Sequence, residues 1–195
     1  MTSKQVSILG STGSIGESTL DVIRNSSEFE VFALSAHRNT KLLLEQCMEF
    51  NPSVAVLADS SCANDFSRQL INANCDTELR IGPAALEEIA SAEAVDIVMA
   101  AIVGAAGLSA SLAAVITGKR LLLANKEALV MSGDLFMQTA TQSGAEVIPI
   151  DSEHNAVFQC LPISSKGVVR SQFENVGKVV LTASGGPFLN APLAD

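Results

Sequence analysis

Three glycines spaced by threes occur in Ile8-Leu9-Gly10-Ser11-Thr12-Gly13-Ser14-Ile15-Gly16, directly after a short apolar run. Glycine lets the backbone turn tightly and approach a pyrophosphate, and a helix starting there presents unpaired N–H groups and its positive dipole end to an anion. The spacing is G-x-x-G-x-x-G rather than G-x-G-x-x-G, and a glycine turn with no ligand has the same composition. In dinucleotide folds an acidic residue at the end of the second strand takes the ribose hydroxyls, and a basic one takes a 2′-phosphate. Here that place reads Ala36-His37-Arg38-Asn39. It holds no carboxylate, and the Arg38 guanidinium can fork onto a phosphate, which favours NADP over NAD. A solvated loop arginine and an exposed loop histidine are the plainer assignments for Arg38 and His37.

Four later segments could carry chemistry. Ala124-Asn125-Lys126-Glu127 follows an apolar strand and sets three polar groups at one sheet edge. Lys126 can neutralise a substrate oxygen and Glu127 can hold a ribose or pair with the lysine, while Asn125 as N-cap and Glu127 in a first helical turn serve structure alone. Asp151-Ser152-Glu153 puts two carboxylates at i and i+2, on one side of an extended backbone, where both can meet a hard cation such as Mg²⁺ or Mn²⁺. An N-cap with an acidic first turn accounts for the same residues, with His154 and Asn155 supporting the turn. Val103-Gly104-Ala105-Ala106-Gly107 and Ser184-Gly185-Gly186 are small-residue loops open to a ligand or to close packing.

Strand-like and helix-like segments alternate along most of the chain, the pattern of a parallel sheet covered by helices on both faces. Strands are expected at residues 6–9, 31–35, 54–57, 96–101, 120–123 and 146–150. Helices are expected at 14–24, 41–50, 65–72, 84–92, 108–117 and 132–143. Residues 60–94 are more polar and less periodic. The fold class is therefore α/β, a doubly wound parallel sheet of Rossmann type over residues 1–150. Residues 151–195 read as the incomplete start of an α+β domain, with a helix at 152–161, a polar connection at 164–175 and a strand at 178–182.

The bulk composition narrows the partners. The 195 residues carry a formal net charge of −9 and no Trp or Tyr, and their basic residues are scattered, which argues against a nucleic-acid surface. No apolar run approaches the ~20 residues of a membrane span, and the first strand begins too early to leave room for a signal peptide, so a cytoplasmic protein is expected. Cys47, Cys62, Cys75 and Cys160 show no C-x-x-C spacing and read as buried free thiols.

Five segments in this order resemble the 1-deoxy-D-xylulose 5-phosphate reductoisomerase family. They are Leu9-Gly10-Ser11-Thr12-Gly13-Ser14-Ile15-Gly16, Ala100-Ala101-Ile102-Val103-Gly104-Ala105-Ala106-Gly107, Leu122-Leu123-Ala124-Asn125-Lys126-Glu127, Asp151-Ser152-Glu153-His154-Asn155 and Ser184-Gly185-Gly186-Pro187-Phe188. The resemblance covers essentially the whole chain and about the amino-terminal half of the family's length. It implies an NADPH- and divalent-metal-dependent enzyme of non-mevalonate isoprenoid synthesis. Such an enzyme isomerises the sugar phosphate 1-deoxy-D-xylulose 5-phosphate and reduces the product to 2-C-methyl-D-erythritol 4-phosphate. By the same resemblance Thr12, Gly13, Ser14, Ile15, His37, Arg38, Asn39, Asn125 and Glu127 would contact NADPH. Lys126, Ser152, Glu153 and Ser184 would contact substrate, with Lys126 and Glu153 in catalysis, and Asp151 and Glu153 would be two of three carboxylates on Mg²⁺ or Mn²⁺. At position 38 the family often has Lys and at 37 often Gly. The family is homodimeric, and this half alone is expected to bind NADPH at most. The competing assignments are an NADP-dependent dehydrogenase of another class, which needs a cysteine beside the nicotinamide, and a non-catalytic nucleotide-binding module.

Overall fold

The computed structural model describes residues 2–161 and 176–180. Seven strands form one sheet: β1 (Lys4–Leu9), β2 (Phe29–Ala36), β3 (Val54–Leu57), β4 (Glu78–Ile81), β5 (Ile97–Ala100), β6 (Arg120–Leu123) and β7 (Glu146–Pro149). Every pairing is parallel and the order is β4-β3-β2-β1-β5-β6-β7. The chain winds outward from β1 to β4, returns to lay β5 against the other side of β1, and winds outward again. Ligands of open α/β sheets bind where the order reverses, outside the carboxyl ends of the strands, and here that is the gap between β1 and β5.

The helices are α1 (Ser14–Arg24), α2 (Thr40–Phe50), α3 (Ala63–Asn72), α4 (Pro83–Ser91), α5 (Leu108–Ile116), α6 (Glu127–Ser143) and α7 (Ser152–Cys160). Two cores follow from the alternation of strand side chains. Val6 and Ile8 join Leu20 and Ile23 of α1, Leu43 and Cys47 of α2, and Phe66 and Leu70 of α3. Leu9 faces the opposite way, with Ile89 of α4, Ala114 and Val115 of α5, and Phe136 and Ala140 of α6. Each fully buried large side chain, Phe66 and Phe136 among them, contributes about 1.5–3 kcal/mol through lost water contact. Among the described residues no helix is long and apolar enough to cross a membrane.

Four sequence expectations change. β4 was not foreseen, because Glu78-Leu79-Arg80-Ile81 is a four-residue edge strand with no fully buried residue and with Glu78 and Ile81 exposed. α6 begins at Glu127 rather than at residue 132, and Ser132 is a kink inside it (φ −144°, ψ 24°) with its hydroxyl donating to the Ala128 carbonyl at 2.8 Å. The kink divides α6 into two helical stretches, the second of which is the helix expected from residue 132. Residues 176–180 carry no regular structure, so the strand expected from 178 is not formed in its described part. The cysteines are all free, yet only Cys47 is buried; Cys62 and Cys75 are half-buried and Cys160 is exposed. Burial pushes the Cys47 thiol up to about 12. Timed labelling with a disulfide reagent should modify Cys160 first and leave Cys47 protected until unfolding; early labelling of Cys47 would contradict its packing.

Asp96 locks the start of β1. It accepts from the Gln5 N–H at 2.9 Å and from Lys4 Nζ at 3.1 Å. The Gln5 amide, then Lys4, holds its carboxyl below the usual range. A carboxyl depressed by folding contributes stability that is complete above its unfolded pKa of about 3.9 and is lost as pH falls through the folded value. Urea midpoints should therefore decline below about pH 4 more steeply in the parent than in Asp96→Asn.

Candidate nucleotide and metal site

The glycine turn is clamped from below. Ser11 N–H donates to the Ser35 carbonyl at 2.8 Å, and Gly10 N–H donates to Ser35 Oγ at 2.9 Å. Ser11 Oγ donates to Gln46 Oε1 at 2.7 Å while Gln46 Nε2 donates back to the Ser11 carbonyl at 3.0 Å. All three side chains are buried. A hydroxyl and an amide in reciprocal contact fix this turn without touching any ligand. Gly10 needs its glycine, with φ +86° and a notional Cβ 3.1 Å from the Ala101 carbonyl oxygen. Gly16 needs its own for a different reason: a Cβ there would sit 2.5 Å from the Gly10 carbonyl oxygen and the Ser11 Cα. The first turn of α1 thus lies directly on the backbone of the turn, the close helix–strand packing that a third glycine allows.

The result is a cleft of about 390 Å³ between the two halves of the sheet. Gly10, Thr12 and Gly13 line one wall, Ala101, Ile102, Val103 and Ala106 the other, and Ala36 and His37 lie at the β2 end. No side chain caps the start of α1, where Gly13 is the N-cap. The first-turn amides of Ser14 and Ile15 are therefore free for an anion, which fits a pyrophosphate. On the β2–α2 loop, Asn39 caps α2 by accepting from the Leu42 N–H at 3.3 Å. Arg38 is exposed and its Nε donates to Asp59.

Asn125 closes the opposite wall. Its side chain is buried, and its Nδ2 donates to the carbonyls of Ile102 at 2.7 Å and Gly104 at 2.6 Å. Its Oδ1 accepts from the Glu127 N–H at 3.1 Å, so the residue pins the loop after β5 to the start of α6. Both donors of Asn125 are engaged by protein, which makes it a shaper of the cleft. Glu127 is exposed in the first turn of α6.

At the ends of β6 and β7, Lys126 Nζ lies 3.5 Å from Asp151 Oδ2, and His154 Nδ1 lies 2.9 Å from Asp151 Oδ1. Burial pushes the Asp151 carboxyl up, but hydrogen bonds from His154 and the charges of Lys126 and His154 outweigh it, and the carboxyl lies below its usual range. A surface pair with its lysine so exposed contributes at most about 1 kcal/mol, so Lys126 can leave Asp151 for another anion at little cost. Of the two geometries open to Asp151 and Glu153, the N-cap with an acidic first turn forms rather than the extended i, i+2 arrangement. Asp151 is the N-cap of α7 and Glu153 is already in its first turn, because the helix starts at Ser152. Glu153 accepts from Ser152 Oγ at 2.8 Å, and Asn155 Nδ2 donates to the Pro149 carbonyl at 2.6 Å, fixing α7 to the end of β7. Asp151 and Glu153 remain two hard oxygen donors on one turn, suited to Mg²⁺ or Mn²⁺. No group of three His, Cys, Asp or Glu residues converges among the described residues. Ser184 lies outside the described residues.

The family model described as 1-deoxy-D-xylulose 5-phosphate reductoisomerase matches residues 6–133, and that of the family's C-terminal domain matches residues 147–195. The chain belongs to the 1-deoxy-D-xylulose 5-phosphate reductoisomerase family. The reductoisomerase of Paraburkholderia phytofirmans is 53% identical over 95% of this chain and 45% of its own length. That of Saccharophagus degradans is 53% identical over 98% of this chain and 48% of its own length. The chain therefore spans about half the length of the curated reductoisomerases it matches. A crystal structure of DOX-P reductoisomerase with fosmidomycin and magnesium superposes with a TM-score of 0.90 at 46% identity, covering 98% of this chain and 48% of that one. The Zymomonas mobilis reductoisomerase in complex with NADPH gives 0.87 at 44% identity, covering 99% and 48%. Sequence reasoning singled out the glycine turn, the lysine and the acidic pair, which the structure sets at the carboxyl ends of β1, β6 and β7. It missed Ser11, Ser35, Gln46 and Asp59. Gln46 meets Ser11 across 35 positions and leaves no local signal, whereas Asp59-Ser60-Ser61 is a short-range Asx pattern that was open to detection.

Proposed function

We propose that this chain is the NADPH-binding half of a reductoisomerase that converts 1-deoxy-D-xylulose 5-phosphate to 2-C-methyl-D-erythritol 4-phosphate. Residues 1–150 form its NADPH-binding domain and 151–195 begin its metal-binding catalytic domain. The observation that carries the proposal is the cleft between β1 and β5, with an uncapped helix start on one wall and a small-residue loop on the other. NADPH-bound relatives of the same fold support it. The amides of Ser14 and Ile15 with the Thr12 hydroxyl would hold the pyrophosphate over the Gly13 turn, whose own N–H donates to the Gly10 carbonyl, and Arg38 and Asn39 would hold the adenosine end. His37 would flank that end, and Asn125 and Glu127 would border the nicotinamide side.

In the whole enzyme, bound metal would supply Lewis-acid polarisation of vicinal substrate oxygens, and NADPH would supply hydride. Asp151 and Glu153 would hold the metal with Mg²⁺ or Mn²⁺ equally suited to their oxygens. Ser152 and Ser184 would bind substrate, and Lys126, loosely paired and exposed, would face developing negative charge on a substrate oxygen. The curated relatives are about twice as long, so the cofactor half should bind without turning over. NADPH titrated into the chain should be bound, and addition of Mg²⁺ and 1-deoxy-D-xylulose 5-phosphate should leave it unoxidised. Absence of NADPH binding would sink the cofactor assignment, and substrate-dependent NADPH oxidation would sink the assignment of turnover to the longer protein.

A further inference from the structure

We propose that Asp59 is a positioning residue that gives the site its preference for a 2′-phosphate by holding Arg38 in place, an inference that rests on Arg38 being the 2′-phosphate partner. Asp59 lies two residues beyond β3. Its loop is stitched to the end of β2, with Ala58 N–H donating to the Ala36 carbonyl at 2.9 Å and Asp59 N–H to the His37 carbonyl at 3.2 Å. Ala58, Ala36 and His37 all line the cleft. The carboxylate is itself anchored, because Oδ1 accepts from the Ser61 N–H at 2.8 Å while Oδ2 accepts from Arg38 Nε. The Asp59 side chain is only 14% exposed and that of Arg38 is 68% exposed, so a fixed acceptor holds the inner nitrogen of a mobile arginine. The two terminal nitrogens of Arg38 make no hydrogen bond among the described residues. They are the fork that meets a phosphate two-to-two.

An arginine fixed at Nε has fewer rotamers to lose when the phosphate arrives. The negative charge on Asp59 is paired with the Arg38 guanidinium, and the exposed fork of Arg38 meets the phosphate in water and salt, which screen the remaining repulsion. Fixing the fork therefore outweighs it. The Ser61 amide, and after it Arg38, holds the Asp59 carboxyl below the usual range, so the anchor is charged at any working pH.

The test compares the full chain with Asp59→Asn and Arg38→Ala by equilibrium titration with NADPH and with NADH. Asp59→Asn keeps the acceptor for Ser61 and removes the charge on Nε. It should weaken NADPH by about three- to tenfold, the scale of immobilising one flexible side chain. NADH should change by less than about twofold, and added to Arg38→Ala the substitution should weaken NADPH no further. Unchanged or tighter NADPH binding in Asp59→Asn would overturn the inference, as would an equal loss for both nucleotides, the mark of a merely structural role. If Arg38→Ala leaves the NADPH-to-NADH ratio untouched, the assignment of Arg38 fails first; if that ratio falls and Asp59→Asn does nothing, only the role of Asp59 fails.

Discussion

Gly16→Ala is expected to abolish tight NADPH binding and to destabilise the fold, although it adds only one methyl group. The new Cβ would lie 2.5 Å from the Gly10 carbonyl oxygen and Ser11 Cα and 2.6 Å from Ser11 C, all backbone atoms that no side-chain rotation can move. Either α1 lifts off the turn or the turn is pushed toward β5, and the turn is held there by Ser35 and Gln46. Overpacking of this kind costs about 1–3 kcal/mol and more where the neighbours are rigid. Ligand binding suffers along with stability, because the amides of Ser14 and Ile15 ride on the displaced turn. A displacement near 1 Å is enough to lose about a hundredfold where geometry must be met. Gly133→Ala is the control, since a Cβ there meets nothing within 4 Å, and it should be neutral or stabilise by up to about 1 kcal/mol. Titration and urea unfolding of both variants check this; NADPH affinity in Gly16→Ala within threefold of the parent would contradict the packing account.

Asn125→Ala is expected to cost about 2–3 kcal/mol in unfolding free energy, for two half-buried carbonyl acceptors and one N–H donor that lose their partner. The Ile102 and Gly104 carbonyls would lose the same Nδ2, and the Glu127 N–H would lose its acceptor at the head of α6. Gly107 sits beneath this amide, its notional Cβ 3.5 Å from Nδ2, so water has no ready place to substitute. The wall formed by Ile102 and Val103 should loosen and weaken NADPH together with stability. Asn125→Asp should be worse still, because a carboxylate would face two carbonyl oxygens where the amide now donates. Loss of less than about 1 kcal/mol in Asn125→Ala would show that the two loops are held by something else.

Most of the fold was legible because buried parallel strands such as Val54-Ala55-Val56-Leu57 and amphipathic helices such as α1 differ in period, and their breaks fall at Gly and Pro. What stayed hidden was set by tertiary context. β4 pairs only on one side and needs no apolar face, and a helical stretch from Glu127 precedes the kink at Ser132 where the helix was expected to start. In the candidate site, the residues proposed to touch a ligand carried local signals, as the glycines and the acidic pair did. Gln46, which holds Ser11 across 35 positions, carried none, and Asn125 stood out beside Lys126 while its hold on the Ile102 carbonyl did not. Asp59 falls between the two, with a local turn pattern and a distant partner.

The central claim is that the cofactor's pyrophosphate sits on the start of α1 in the cleft between β1 and β5. A residue-resolved amide spectrum of the chain titrated with NADPH tests it most directly. The largest shifts should fall on Gly13, Ser14 and Ile15, with Ile102 and Val103 following across the cleft. Saturating NADPH that leaves those amides in place, or shifts only residues remote from the cleft such as Val130 and Leu135 on α6, would contradict it.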